Sequence, residues 1–105
     1  MANNTIPLDD VFRALADPTR LAVLGRLSRA PAPVSELARL ADMTLPSFLQ
    51  HLDVLESVGL IRSEKKGRVR ICEIEPFQLN AAEAWLVQVR AVWGLRQTIG
   101  KDRRR

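Results

Sequence analysis

The chain has 105 residues, 47% apolar, 27% charged and 5% aromatic, a profile that suits one globular domain and is too hydrophobic for an intrinsically disordered chain. No apolar run approaches the roughly 18 residues that cross a bilayer, so no membrane partner is expected. Sixteen basic against twelve acidic side chains give a net charge of +4, and it is unevenly spread: −2 over residues 1–59, +2 over 60–75 and +4 over 76–105.

Residues 1–7 are polar, end in Pro7 and read as a flexible N-terminal arm. Leu8, Val11, Phe12 and Leu15 then follow helical spacing. Asp17-Pro18 signals a helix start, a capping carboxylate followed by a residue preorganised for the first turn. Leu21, Leu24 and Leu27 carry that helix to about Ser28, and the run Ala30-Pro31-Ala32-Pro33 reads as a connector. Ser35 and Glu36 open a short helix with Leu37, Ala38 and Leu40, which stops near Ala41-Asp42-Met43. Thr44 is placed to cap the next helix, with Pro46 in its first turn; Phe48, Leu52 and Leu55 share its inner face, and Gly59 ends it.

Residues 60–64 and 68–75 are β-prone and are separated by Lys65-Lys66-Gly67, a hairpin signature. Arg70, Cys72 and Ile74 fall on one face of the second strand, with Val69 and Ile71 on the other. After Pro76, the residues Ala82, Trp85, Leu86, Val89, Val92 and Trp93 form a broad apolar stripe on a long helix reaching about Thr98. The remainder, residues 99–105, reads as a basic disordered tail. The expected fold is mainly α with a small β-hairpin, about five helices plus one two-stranded wing. Residues 8–98 form its single domain, with no repeats and no dividing linker.

Two features carry the chemistry. The helices at 34–41 and 44–58, joined by a tight turn, make a helix-turn-helix arrangement. Between Arg62 and Arg70 the hairpin that follows holds Arg62, Lys65, Lys66, Arg68 and Arg70 against Glu64 alone. A hairpin there forms a wing whose cations release counterions from phosphates while the preceding helix lies in the major groove. Thr44, Pro46, Ser47, Gln50 and His51 face outward at the start of that helix. Gln can bond an adenine edge twice, Ser or Thr can bond base or phosphate, and His can do either. Ser35 and Thr44 mark helix N-termini whose free N–H groups suit a phosphate. The DNA-binding set is therefore Ser35, Thr44, Pro46, Ser47, Gln50, His51, Lys65, Lys66, Arg68 and Arg70, with double-stranded DNA as partner.

The runs Ala16-Asp17-Pro18-Thr19-Arg20-Leu21, Val34-Ser35-Glu36-Leu37-Ala38 and Leu45-Pro46-Ser47-Phe48-Leu49-Gln50-His51-Leu52-Asp53-Val54-Leu55-Glu56 resemble the ArsR/SmtB family of bacterial winged-helix repressors. Ser57-Val58-Gly59-Leu60-Ile61 and Lys66-Gly67-Arg68-Val69-Arg70 extend the resemblance, which spans about residues 8–98. It implies a homodimer built on the first and last helices, autoregulatory repression from a palindromic operator, and release by a signal. The interface residues are then Val11, Phe12, Leu15, Trp85, Leu86, Val89, Val92 and Trp93. The family pattern Ser-x-Pro-x-x-Ser-x-His-Leu is met by Thr44, Pro46, His51 and Leu52, but Leu49 replaces the second Ser and either meets a thymine methyl or deepens the core.

Pro33 and Ser35 stand where thiolate-type members carry Cys-x-Cys, and the stretch 77–98 offers Glu83 as its one carboxylate. The resemblance is therefore to a metal-free subgroup; no metal and no cofactor are expected. Cys72 reads as buried filler, and a lone cysteine together with a start that lacks a secretory signal points to the cytoplasm. Asp53 and Glu56 should turn away from DNA, with Arg26 or Arg39 as candidate partners. One His and one Cys assemble no nucleophile–base pair, so no enzyme is expected. A winged-helix module that binds protein instead of DNA is the alternative; it would show an apolar patch on the recognition surface and little salt dependence. No polar cluster marks an effector pocket, which leaves open whether a small molecule is sensed.

Overall fold

The computed structural model describes residues 6–103, with side chains through residue 97. Most of the expected N-terminal arm lies outside the described residues. Ile6 packs on the core, and Pro7 stands at the N-cap of α1 (Leu8–Leu15). The second helix, α2 (Pro18–Leu27), starts as its sequence dictates: the Asp17 carboxylate accepts the Arg20 backbone N–H at 3.0 Å, and Pro18 fills the first turn. A short α3 (Val34–Leu37) runs into a 3-10 turn, Ala38–Leu40, and after a break comes α4 (Leu45–Ser57). The C-terminus of α4 is closed by a Schellman motif. Leu60 N–H reaches the Leu55 carbonyl and Gly59 N–H the Glu56 carbonyl, with Gly59 at φ 77°.

The sheet holds one more strand than its sequence suggests. A two-residue strand β1 (Ala32–Pro33) pairs with β3 (Val69–Ile74), which pairs in turn with β2 (Ile61–Lys66), giving the antiparallel order β1-β3-β2. Ala32 lies opposite Cys72 and Pro33 opposite Ile71. A proline is tolerated there because β1 is an edge strand with one side unpaired. The hairpin turn is also tighter than expected. Lys66 pairs with Val69, so Lys65 and Lys66 belong to β2 and the turn consists of Gly67 and Arg68. Gly67 has φ 66°, the backbone that favours Gly at the first turn position.

Among the described residues, fifteen buried apolar ones, including Val11, Val23, Leu37, Phe48, Leu52, Leu55, Leu60 and Cys72, form one core beneath these elements. Val11 is fully buried there, which corrects its assignment to a dimer surface: the inner face of α1 (Val11, Ala14) turns into the protomer, and Phe12 and Leu15 remain half-buried beside it.

The last helix, α5 (Pro76–Arg103), spans 28 residues, about 42 Å at 1.5 Å per residue. Its backbone continues through residues 99–103, where a disordered tail was expected; past Pro76 no residue there forbids helix, and a single Gly costs only about 1 kcal/mol. Residues 104–105 lie outside the described residues. Leu79 and Ala82 seat the start of α5 on the core, and from Glu83 to residue 97 every side chain is exposed.

Candidate nucleic-acid interface

The helix-turn-helix presents its second helix by a simple division of faces. Phe48, Leu52 and Leu55 are buried and fix α4 against the body, leaving Pro46, Ser47 and Gln50 exposed on the other side. Thr44 caps α4: its Oγ1 accepts the Ser47 N–H at 3.3 Å and its hydroxyl donates to Ser47 Oγ at 3.1 Å. That occupies much of the Thr44 hydroxyl, whereas the Ser47 O–H stays free to donate. Ser35 is exposed in the first turn of α3, and Pro33 at the N-cap contributes no side-chain hydrogen bond.

A groove runs between the start of α3, the start of α4 and the hairpin, lined by Ser35, Leu45, Leu49, Arg68, Val69 and Arg70 among others. The fold thus brings the α3 N-terminus, the reading helix and the wing to one surface, as the sequence order anticipates. Leu49 packs on the core, the second of its two expected roles, and its remaining surface lines this groove.

The wing's charge is less free than its composition suggests. Arg62 donates to Glu73 at 2.7 Å and to Glu75 at 2.9 Å, and those carboxylates, Glu73 first, hold its guanidinium above its usual pKa. Arg70 is not an open phosphate ligand: it reaches Glu56 Oε1 on α4 at 2.7 Å and Ser63 Oγ at 2.9 Å, while Ser63 donates to both Glu56 oxygens at 3.2 Å. This corrects its place in the DNA-binding set, since a guanidinium that neutralises a carboxylate brings little net charge to a phosphate. It also settles Glu56, which turns toward the wing. Arg26 binds Glu36 at 2.8 Å and the Ala30 carbonyl at 2.9 Å, so it pairs with neither Asp53 nor Glu56. Among the described residues no ion pair engages Lys65, Lys66 or Arg68, and all three are exposed.

His51 is half-buried at the flank of the reading face and is bonded to Arg20, whose terminal nitrogen lies 2.9 Å from Nδ1. Only the Nε2 side remains for a partner. The Asp17 carboxyl nearby sits below its ordinary pKa, chiefly through the Arg20 backbone N–H, then through the neighbouring His51 ring and the positive charge of Arg20, with partial burial opposing. Nothing local in the sequence announces the Arg20–His51 pair; the two positions are 31 residues apart. Cys72 is fully buried, and burial pushes its thiol up. Among the described residues no three His, Cys, Asp or Glu side chains converge on a metal-sized site, and no helix is long and apolar enough to cross a membrane.

At the dimer-candidate surface, the Phe12 and Trp85 rings meet edge-to-face with centroids 5.6 Å apart. Trp85, Leu86, Val89, Val92 and Trp93 are 45–57% exposed on α5. Val87 and Leu95 are exposed as well, although the apolar stripe read from the sequence omits them.

Comparison with known proteins agrees with this arrangement. A helix-turn-helix domain family matches residues 15–64. The HTH-type transcriptional regulator Rv2034 of Mycobacterium tuberculosis is 35% identical over 96 residues, 90% of each chain. The crystal structure of an ArsR family transcriptional regulator is 57% identical, with a TM-score of 0.78 over 83% of this chain and 96% of that one. The solution structure of the homodimeric winged helix-turn-helix DNA-binding domain of Mb0332 from Mycobacterium bovis is 28% identical, with a TM-score of 0.63 over 86% of this chain and 82% of that one. With five helices around a winged helix-turn-helix and sequence likeness along nearly its whole length, the chain belongs to the ArsR/SmtB family of transcriptional regulators.

Proposed function

We propose that this protein is a homodimeric, sequence-specific DNA-binding repressor that acts in the cytoplasm, has no enzymatic role and controls its own operon. The observation that carries the reading is an exposed polar helix face (Ser47, Gln50) on α4 together with a hairpin that holds three cations outside ion pairs (Lys65, Lys66, Arg68), the start of α4 and the hairpin meeting at one groove that Leu45, Leu49 and Arg68 line. Ser47, Gln50 and the Nε2 side of His51 read base edges or phosphates, Pro46 meets the duplex by shape, and Ser35 with the N-terminus of α3 faces the backbone. Lys65, Lys66 and Arg68 grip the sugar–phosphate rail.

One protomer has one reading helix, so twofold pairing sets two half-sites about 34–36 Å apart, or a multiple of that. Phe12, Leu15, Trp85, Leu86, Val89, Val92 and Trp93 form the pairing face, supported by an apolar α5 stripe that stays about half exposed although Phe12 touches Trp85. A dimer on a palindromic operator represses by occupying it. A signal other than a metal releases it: the thiol of Cys72 is buried and one His51 nitrogen is already engaged, a poor donor set.

Leu40, Met43 and Leu45 are exposed around the α3–α4 turn, the observation in favour of a protein partner. Titration of the protein's own promoter fragment against random duplex at two salt concentrations separates the readings, with sedimentation to fix the stoichiometry. A repressor shows promoter preference, steep weakening with salt and two chains per site. Binding to no duplex in preference to competitor overturns the proposal.

A further inference from the structure

Arg20 stands in the first turn of α2, and its guanidinium reaches two other helices. Its Nε–H donates to the Ala14 carbonyl at 2.7 Å, and one terminal N–H reaches the Arg13 carbonyl at 3.4 Å, both near the end of α1. The other terminal nitrogen lies 2.9 Å from His51 Nδ1 on α4. Asp17 Oδ2, which caps α2 by accepting the Arg20 backbone N–H, is 3.6 Å from the same imidazole nitrogen. His51 and Asp17 are only 22% and 24% exposed, so this cluster is partly shielded from water.

A guanidinium has N–H donors and no acceptor, so the Arg20–His51 bond runs in one direction, with Nδ1 accepting. A neutral imidazole that accepts at Nδ1 carries its proton on Nε2. We propose that Arg20 is a positioning residue for the DNA-reading surface: it holds His51 as the Nε2–H tautomer, so that α4 offers the duplex an uncharged donor, and it pins α4 to the end of α1. This rests on the DNA-binding reading above. In that state His51 suits a phosphate oxygen, guanine O6 or N7, or thymine O4, and not the amino groups of cytosine or adenine. The same bonds join α4 to the helix whose Phe12 meets Trp85.

The chain's single histidine makes the test direct. A long-range 15N–1H correlation spectrum of the wild type near neutral pH shows the Nε2–H pattern. In R20M, which keeps much of the alkyl stem, Asp17 Oδ2 is the remaining partner of Nδ1 and draws the proton to that nitrogen. Adding D17N, which preserves a capping side chain, returns a mixture of tautomers. Should R20M fail to fold by circular dichroism, R20L, which likewise has no donor, provides the same readouts.

Operator titrations form the second arm. R20M and R20K each weaken binding about tenfold, because lysine lacks the planar fork. Both leave the slope of log affinity against log salt at the wild-type value, and H51A adds no further loss to R20M. Rescue by R20K, or a slope reduced by about 0.9 per protomer, would mean that Arg20 itself holds a phosphate and would overturn the proposal. So would an unchanged tautomer in R20M. If the wild type binds no operator, the DNA reading fails first and the donor role of His51 falls with it; operator binding with an unchanged tautomer sinks this proposal alone.

Discussion

Replacing Arg68 by alanine should flatten the salt dependence of operator binding, whereas replacing Arg70 should not, although both are arginines at the wing. Lys65, Lys66 and Arg68 stand outside the ion pairs, and Arg70 is held by Glu56 at 2.7 Å. Three such cations per protomer give six in a dimer. Each neutralised phosphate contributes about 0.9 to the slope of log affinity against log salt, so six give a slope of about −5.4 and a loss of about 10³-fold between about 50 and 200 mM salt. Arg68→Ala removes one contact per protomer, leaving about −3.6 and a loss of about 150-fold over the same interval. Arg70→Ala lowers affinity by loosening the wing from α4, but changes the slope by less than the roughly 0.9 of one contact. Fluorescence anisotropy with a labelled operator duplex across a salt series measures both, and a scrambled duplex checks that Arg68→Ala weakens all sequences alike. If Arg70→Ala flattens the slope as much as Arg68→Ala, Arg70 leaves Glu56 on binding and the charge assignment is wrong.

The remaining predictions concern the body of the protein. Val11→Ala should lower protomer stability by about 2 kcal/mol in chemical denaturation without changing the sedimentation coefficient. Trp93→Ser on the exposed face of α5 should shift sedimentation toward monomer and leave the protomer's stability unchanged. Asp17→Ala should cost about 1 kcal/mol at neutral pH through the lost cap. Because the folded Asp17 carboxyl is held below its unfolded value, its contribution is present above about pH 4 and is lost as pH falls through the folded pKa. Stability curves of Asp17→Ala and wild type should therefore converge in acid. Cys72 behaves oppositely. Burial raises its folded pKa, with Arg70 opposing, so its contribution is full below about pH 8.5 and declines as pH rises through the folded value. Cys72→Ala should remove that alkaline decline, and parallel curves for the two proteins would contradict it.

Local signals account for most of the fold that could be read in advance. Asp17-Pro18, Thr44 with Pro46, and Gly59 mark helix ends because caps and left-handed turns depend on residues within one turn of the chain. Phe48, Leu52 and Leu55 declare the inner face of α4 by their spacing alone, and with it the outward Ser47 and Gln50. The strand β1 was not legible. Ala32-Pro33 has no strand signature of its own and becomes a strand only because β3 offers a free edge beside it. Val11 shows the same limit from the other side: periodicity marks it as apolar, yet the stripe on α1 meets both the core and α5, and only packing divides them.

The sequence by itself determined the order of helices, the winged helix-turn-helix and the excess of positive charge over residues 60–75, all of which follow from near neighbours in the chain. Tertiary structure alone decided which charges remain free to act. Arg70 and Glu56 are 14 residues apart and Arg20 and His51 are 31 apart, yet each pair meets within hydrogen-bonding distance. A residue's formal charge is a property of its side chain, whereas its partner depends on where the whole chain places a second group within a few ångströms. For that reason three of the wing's five cations stand outside ion pairs, and α4 carries a histidine one of whose ring nitrogens is engaged by an arginine from another helix.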